Sequence, residues 1–171
     1  RVALFEVLFE GWIDPAWLNV NPIYKTLQPG ERVTINVAIS PPRQPSVLAG
    51  QRQIVVVVRS PDSPGRERRQ VALLNGLPFA DVQLGAVTPP ISEISWDQRS
   101  ASIDVIVTNN GNHIVKTRIQ GQAESTDFHF EPVDPQQIEI SPFVPEDLLL
   151  TMEPGQKILL RGSIRPQRLP L

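Results

Sequence analysis

The chain has 171 residues, of which 20% are charged, and a formal net charge of −2. With no cysteine it holds no disulfide, thiolate nucleophile or zinc–cysteine site, and its charge is far from the strong basicity of a nucleic-acid binder. A hydrophobic content of 40% suffices for buried cores and excludes a disordered segment, and no apolar run approaches the ~20 residues of a membrane-spanning helix.

Eighteen prolines and ten glycines separate short apolar runs, as turn residues do in β-sandwiches. The charge is uneven. Residues 1–79 carry nine Lys/Arg and six Asp/Glu, net +3, and residues 80–171 carry seven and twelve, net −5.

In chain order, Asp14-Pro15-Ala16-Trp17 suits a single helical turn, and Trp12 and Trp17 are expected to pack in a core or at its edge. Leu27-Gln28-Pro29-Gly30-Glu31 is a turn that launches an alternating run. Val33, Ile35, Val37 and Ile39 alternate with Thr34, Asn36, Ala38 and Ser40, which predicts a half-buried strand ending at Pro41-Pro42. Ile54-Val55-Val56-Val57-Val58 predicts a central strand. The turn Ser60-Pro61-Asp62-Ser63-Pro64-Gly65 returns it through residues 66–74. After Leu77-Pro78-Phe79 a second series opens at residues 81–87. Ile103, Val105 and Val107 lead into Asn109-Asn110-Gly111-Asn112, which predicts a hairpin to residues 114–119 and leaves His113 solvated. Phe128 and Phe130, Ile138 and Ile140, and residues 148–150 supply further strands, and no window has sustained helical periodicity.

The run from Leu27 returns 125 residues later as Met152-Glu153-Pro154-Gly155-Gln156-Lys157-Ile158-Leu159-Leu160, again with a proline-rich exit at Pro166 and Pro170. Such internal similarity predicts two tandem all-β modules, residues 1–79 and 80–171.

Candidate chemistry is sparse. Asp127, His129 and Glu131 share one strand face, with Asp134 as a further ligand if that face held a metal; a solvent-facing polar stripe is the plainer reading. Glu146 and Asp147 are adjacent and diverge if extended, and no nucleophile-elbow, zincin, phosphate-loop or EF-hand pattern occurs. No catalytic, cofactor-binding or metal-ligating residue is assigned, and the chain is not read as an enzyme. Arg59, Arg66, Arg68 and Arg69 surround the hairpin turn as a candidate basic tip for a partner, or as a charged edge that prevents aggregation. Trp96 is a candidate contact for a carbohydrate or protein partner.

The pattern carried by Trp17, Val20, Pro22, Pro29, Gly30, Glu31, Ile39, Pro41 and Pro42 resembles tandem bacterial immunoglobulin-like repeats, as appended to secreted glycosidases and large surface or envelope proteins. Asn109, Gly111, Asn112, Pro154, Gly155 and Pro166 carry the resemblance in the second module. It implies two antiparallel β-sandwiches, the first without its opening strands and the second without its closing hairpin within this chain. Either a longer chain or strands from another subunit would complete them. The role implied is a non-catalytic spacer, stalk or assembly piece of a larger bacterial envelope, surface or filamentous structure outside the cytoplasm. Partners would be other protein chains, including copies of itself, held by β-edge or end-to-end contacts. The alternative is a carbohydrate- or protein-binding accessory module of a secreted multidomain protein.

Overall fold

The computed structural model describes residues 1–94, 99–134 and 148–167. Among them the protein is all-β with antiparallel sheets, and its one helical turn is the 3-10 segment Pro15–Trp17. No helix of the described residues is long and apolar enough to cross a membrane. Contacts divide the chain into two compact units. The first comprises Arg1–Arg43 and Ala49–Leu77; the second comprises Gln44–Leu48 and the described residues from Pro78 onward.

The first unit is one sheet. Strands β1 (Ala3–Gly11), β2 (Ile23–Leu27), β3 (Gly50–Arg59) and β4 (Glu67–Gly76) pair in the order β2-β1-β3-β4. The unbroken β-branched run does form a central strand. Ile54 and Val57, which alternation places on opposite faces of β3, are 3% and 1% exposed. The turn to β4 closes as expected, with the Ser63 and Arg66 amides donating to the Ser60 and Ser63 carbonyls and Gly65 at φ 83°. Asp14 caps the short helix by accepting from the Ala16 amide at 2.9 Å. Trp12 and Trp17 are half-buried and meet edge to face at 5.3 Å, with the Arg52 guanidinium 5.8 Å over Trp12.

Residues 33–40 depart from the expected strand: the segment joins no sheet. Its burial alternates from Thr34 onward, with Ile35, Val37 and Ile39 half-buried and Thr34, Asn36, Ala38 and Ser40 exposed, but Val33, expected on the inner face, is 45% exposed. Its one β-bridge is between Ile39 and Leu18. An alternating pattern specifies which face is apolar and does not supply the neighbouring strand.

The second unit has two sheets. Strands β5 (Val82–Leu84), β6 (Ala101–Asn109), β8 (Thr126–Pro132) and β10 (Lys157–Pro166) pair in the order β5-β6-β10-β8. Strands β7 (Val115–Ile119) and β9 (Leu148–Met152) form the other sheet. Val105, Val107, Ile158 and Leu160 of the larger sheet pack with Val115, Ile119, Leu148, Leu150 and Met152 of the smaller, and Phe130 lies against this core. Gly162 faces Phe130 and Ile103 in register; a Cβ there would lie 2.8 Å from the Phe130 ring, so glycine is what lets the aromatic lie across β10.

The Asn-rich corner corrects the hairpin expectation. β6 pairs with β5 and β10, whereas β7 pairs with β9, so residues 109–113 carry the chain between sheets. Gly111 is not at positive φ; it is needed because a Cβ would lie 2.6 Å from the Phe79 carbonyl oxygen. Asn109 is fully buried. Its Nδ2 donates to the His113, Met152 and Glu153 carbonyls, and its Oδ1 accepts from the Gly111 amide. Asn112 accepts from the Phe79 amide and donates to the Val47 carbonyl. His113 is half-buried, its Nδ1 2.9 Å from the Phe79 oxygen, and is not the solvated residue that a hairpin tip would carry. Asparagine serves here by satisfying buried backbone groups, a role its turn propensity masks.

Leu150→Ala is expected to destabilise the protein by about 2–5 kcal/mol in urea unfolding, because a fully buried side chain leaves a cavity between two sheets. Leu73→Ala, at a position 61% exposed, is expected to change stability by less than about 0.5 kcal/mol. Equal losses would contradict this assignment of the core.

Candidate functional site

The arginines flanking the first unit's hairpin turn occupy different places. Cross-strand pairing sets Tyr24, Glu6, Arg59 and Glu67 in one row across all four strands, on one face of the sheet. The next row places Leu8, Val57 and Arg69 together, and the third Glu10, Val55 and Val71. Arg59 and Arg69 therefore share this face. Arg68 lies opposite Val58 on the other face, and Arg66 sits at the turn. Trp96 lies outside the described residues, as do Ile138, Ile140, Glu146, Asp147 and Pro170.

The shared face is neutralised from within. Glu6 is 7% exposed, accepts from Arg59 Nε at 2.5 Å and from the Tyr24 hydroxyl at 3.0 Å. The Arg59 hydrogen bond holds the Glu6 carboxyl below the usual carboxylate range, against the opposing effect of burial. The same carboxylate raises Tyr24, whose hydroxyl keeps its proton to higher pH as the donor. Arg69 reaches both Glu67, at 3.0 Å, and Glu10. Since Arg69 stands opposite Val57 and Glu10 opposite Val55, the contact to Glu10 carries the arginine side chain over β3. Val57 is 1% exposed on a face that carries no second sheet among the described residues. The Arg69 side chain, drawn toward the Glu10 carboxylate, crosses β3 on this face.

Glu6, Arg59, Ser60, Pro61, Ser63, Pro64, Gly65, Arg66 and Glu67 line an open depression of about 340 Å³ at this end of the sheet. Two of its carboxylates face its arginines, which makes it a mixed-charge surface and not a basic tip. The sequence shows the arginines plainly. It hides Glu6 and Glu10 as their partners, because they lie on a strand more than 50 residues away and only the register of β1 against β3 and β4 brings them there.

In the second unit Asp127, His129 and Glu131 are exposed on the outer face of β8, in the stripe that alternation predicts. Their cross-strand neighbours are Arg165, Ser163 and Arg161. Arg161 forms a paired hydrogen bond with Asp104 at 3.0 and 3.4 Å, and Asp127 accepts from Gln167 at 2.8 Å. Arg161 thus stands between Asp104 and Glu131 of the two adjacent strands, and Arg165 stands opposite Asp127. Among the described residues no group of three or more His, Asp and Glu is placed to hold a metal ion.

Comparison of the chain with known protein families, with curated proteins and with solved structures finds no match.

The third place of interest is the repeated turn. In the first copy the Gln28 amide donates to the Glu31 carboxylate at 2.7 Å, the Glu31 amide to the Gln28 carbonyl at 3.0 Å, and Gly30 is at φ 83°. In the second the Glu153 amide donates to Gln156 Oε1 at 2.8 Å, the Gln156 amide to the Glu153 carbonyl at 3.1 Å, and Gly155 is at φ 77°. Each turn comes directly after the last residue of a strand, Leu27 of β2 or Met152 of β9. The local structure of the repeat is the same in both units.

Glu6 has its pKa lowered by folding, so its stabilisation is complete above the unfolded carboxylate pKa and disappears as pH falls through the lower folded value. The stability difference between the wild type and Glu6→Gln, measured by thermal unfolding, should therefore be largest near neutral pH and shrink in that acid window. A difference independent of pH would refute the assignment. Arg69→Met, which keeps the stem, should retain more stability than Arg69→Ser, and urea unfolding at high salt checks that the order survives screening of the charges.

Proposed function

We propose that the protein is a structural and assembly module that works by β-sheet contacts with other protein chains. One observation carries this reading: the first unit is a single sheet with apolar side chains on both faces. Its buried apolar residues are Val7, Ile23, Ile54 and Val57 alone among those described. Edge strand β4 leaves Val71 54% and Leu73 61% exposed, side by side on one face, and β2 at the opposite edge leaves Tyr24 54% exposed. A sheet with exposed apolar positions and open edges is a template for another chain. The tandem immunoglobulin-like resemblance of the sequence supports the same role, as a spacer or subunit of a bacterial envelope, surface or filamentous assembly. A carbohydrate platform of coplanar aromatics would favour the accessory-module alternative. Trp12 and Trp17 instead stand at 70° to one another, and Phe128 and Phe130, though stacked, lie on the face of β8 that packs inward.

Sedimentation equilibrium of the 171-residue chain tests this. Concentration-dependent self-association, weakened in Val71→Lys/Leu73→Lys without loss of folded structure, is the expected result. A chain that stays monomeric and is indifferent to these changes would count against assembly through this sheet.

A further inference from the structure

The two copies of the repeated turn feed two segments of like pattern and unlike surroundings. In the second unit the turn opens β10, which is hydrogen-bonded to β6 on one side and β8 on the other. In the first, by the spacing of 125, Val33, Ile35, Val37 and Ile39 take the places of Ile158, Leu160, Gly162 and Ile164. Ile35, Val37 and Ile39 keep the inward alternation and Val33 is exposed, yet among the described residues no backbone hydrogen bond is made by residues 33–37.

Only one side of this segment is partly used. The Asn19 amide donates to the Ala38 carbonyl, the Ser40 amide donates to the Trp17 carbonyl, and the Ala38 amide is met by Asn19 Oδ1 at 3.1 Å. The backbone groups of Ala38 and Ser40 therefore face residues 17–19. In an extended chain successive residues present these groups to alternate sides, so those of Val33, Ile35, Val37 and Ile39 face the other side together. That side is an open edge along which Ile35, Val37 and Ile39 are half-buried and Val33 is exposed.

We propose that this edge accepts one antiparallel strand from another protein chain, in the manner in which β10 accepts β6; the inference rests on the assembly reading above. The register of β6 on β10 defines the chemistry of the occupant. Val107, Val105, Ile103 and Ala101 stand opposite Ile158, Leu160, Gly162 and Ile164. A matching strand carries apolar residues at alternate positions opposite Val33, Ile35, Val37 and Ile39. Opposite Val37 it carries a small one, because Ile103 already lies 2.9 Å from where a Cβ of Gly162 would be. An aromatic strand of the β8 kind is refused for the same reason: Phe130 needs the space over Gly162 that Val37 fills. The occupant is thus one β-branched strand with a small residue at its centre.

The test uses the whole chain and a labelled peptide with the β6 sequence, Ala101–Asn109, carrying Ile103→Ala. Fluorescence anisotropy should show saturable binding with one peptide per chain. Two further peptides are methylated on backbone nitrogens, one at Val105 and Val107, the other at Asp104 and Ile106. Strand addition requires one of them to bind as the parent does and the other at least ~10-fold more weakly, since only alternate amides face the acceptor. Hydrogen exchange should show new protection at the amides of Val33, Ile35, Val37 and Ile39. Absence of binding, equal binding of the two methylated peptides, or protection confined to other strands would each overturn the proposal. Self-association that responds to Val71 and Leu73 while the peptide fails would remove this inference and leave the assembly reading standing; peptide capture by a chain that does not self-associate would do the reverse for the β4 surface.

Discussion

A β-strand has two demands that a helix does not. Its backbone groups must be paired sideways, and its apolar face must be covered by something outside the sheet. Most features of this protein are answers to those demands, and the two units answer them differently. In the second, β6, β8 and β10 pair within one sheet, and the apolar face they share is covered by β7 and β9, giving a core in which Leu150, Met152 and Leu160 are fully buried. In the first, one sheet stands without a second, and long charged side chains do part of the covering. The Arg69–Glu10 contact crosses β3 on the Val57 face, and Glu6 is tied down between Arg59 and Tyr24. The Arg69–Glu10 pair is exposed on both sides, and such pairs contribute little energy by themselves, whereas the Glu6 end of the Arg59 pair is buried.

The Asn109 corner shows the other cost of a two-sheet fold. A chain leaving one sheet for the other must turn at the margin of the core, where its own amides and carbonyls are shielded from water. Asn109 meets carbonyls from its own corner and from the turn before β10, together with the Gly111 amide, and its backbone also bonds Gln156 and Gly155. One side chain with two donors and one acceptor oxygen thus ties the β6–β7 crossing to the β9–β10 turn. The neighbouring Asn112 does the same for Val47 and Phe79. A buried polar network is stabilising only when its members are satisfied, and here they are.

How much of this the sequence reveals depends on the range of the interaction. The all-β class, the β3–β4 hairpin, the single helical turn capped by Asp14 and the outward stripe of Asp127, His129 and Glu131 are all legible, because each depends on residues a few positions apart. The pairing of Glu6 with Arg59 and the use of Asn109 as a buried hub are not, because they depend on register between distant strands. The Asn-Asn-Gly-Asn corner illustrates the trap. The residues that favour tight hairpins also satisfy buried backbone, and composition alone does not separate the two uses.

The repeat separates local from non-local control more sharply, since the same signal meets two outcomes within one chain. Its turn is determined by four residues and forms in both copies with the same pair of hydrogen bonds and the same left-handed glycine. Beyond the turn, the neighbours decide the conformation. Beside β6 and β8 the segment becomes β10; beside residues 17–19 alone it joins no sheet, with Ile35, Val37 and Ile39 on its more buried side, and is bridged once. The alternation of Ile35, Val37 and Ile39 is thus a property of the segment before any strand joins it. With the apolar face already chosen, an incoming strand has its register restricted to steps of two residues. On the proposed strand addition, Val37 at the place equivalent to Gly162 disfavours registers that set a bulky side chain opposite it, so the edge would discriminate among strands.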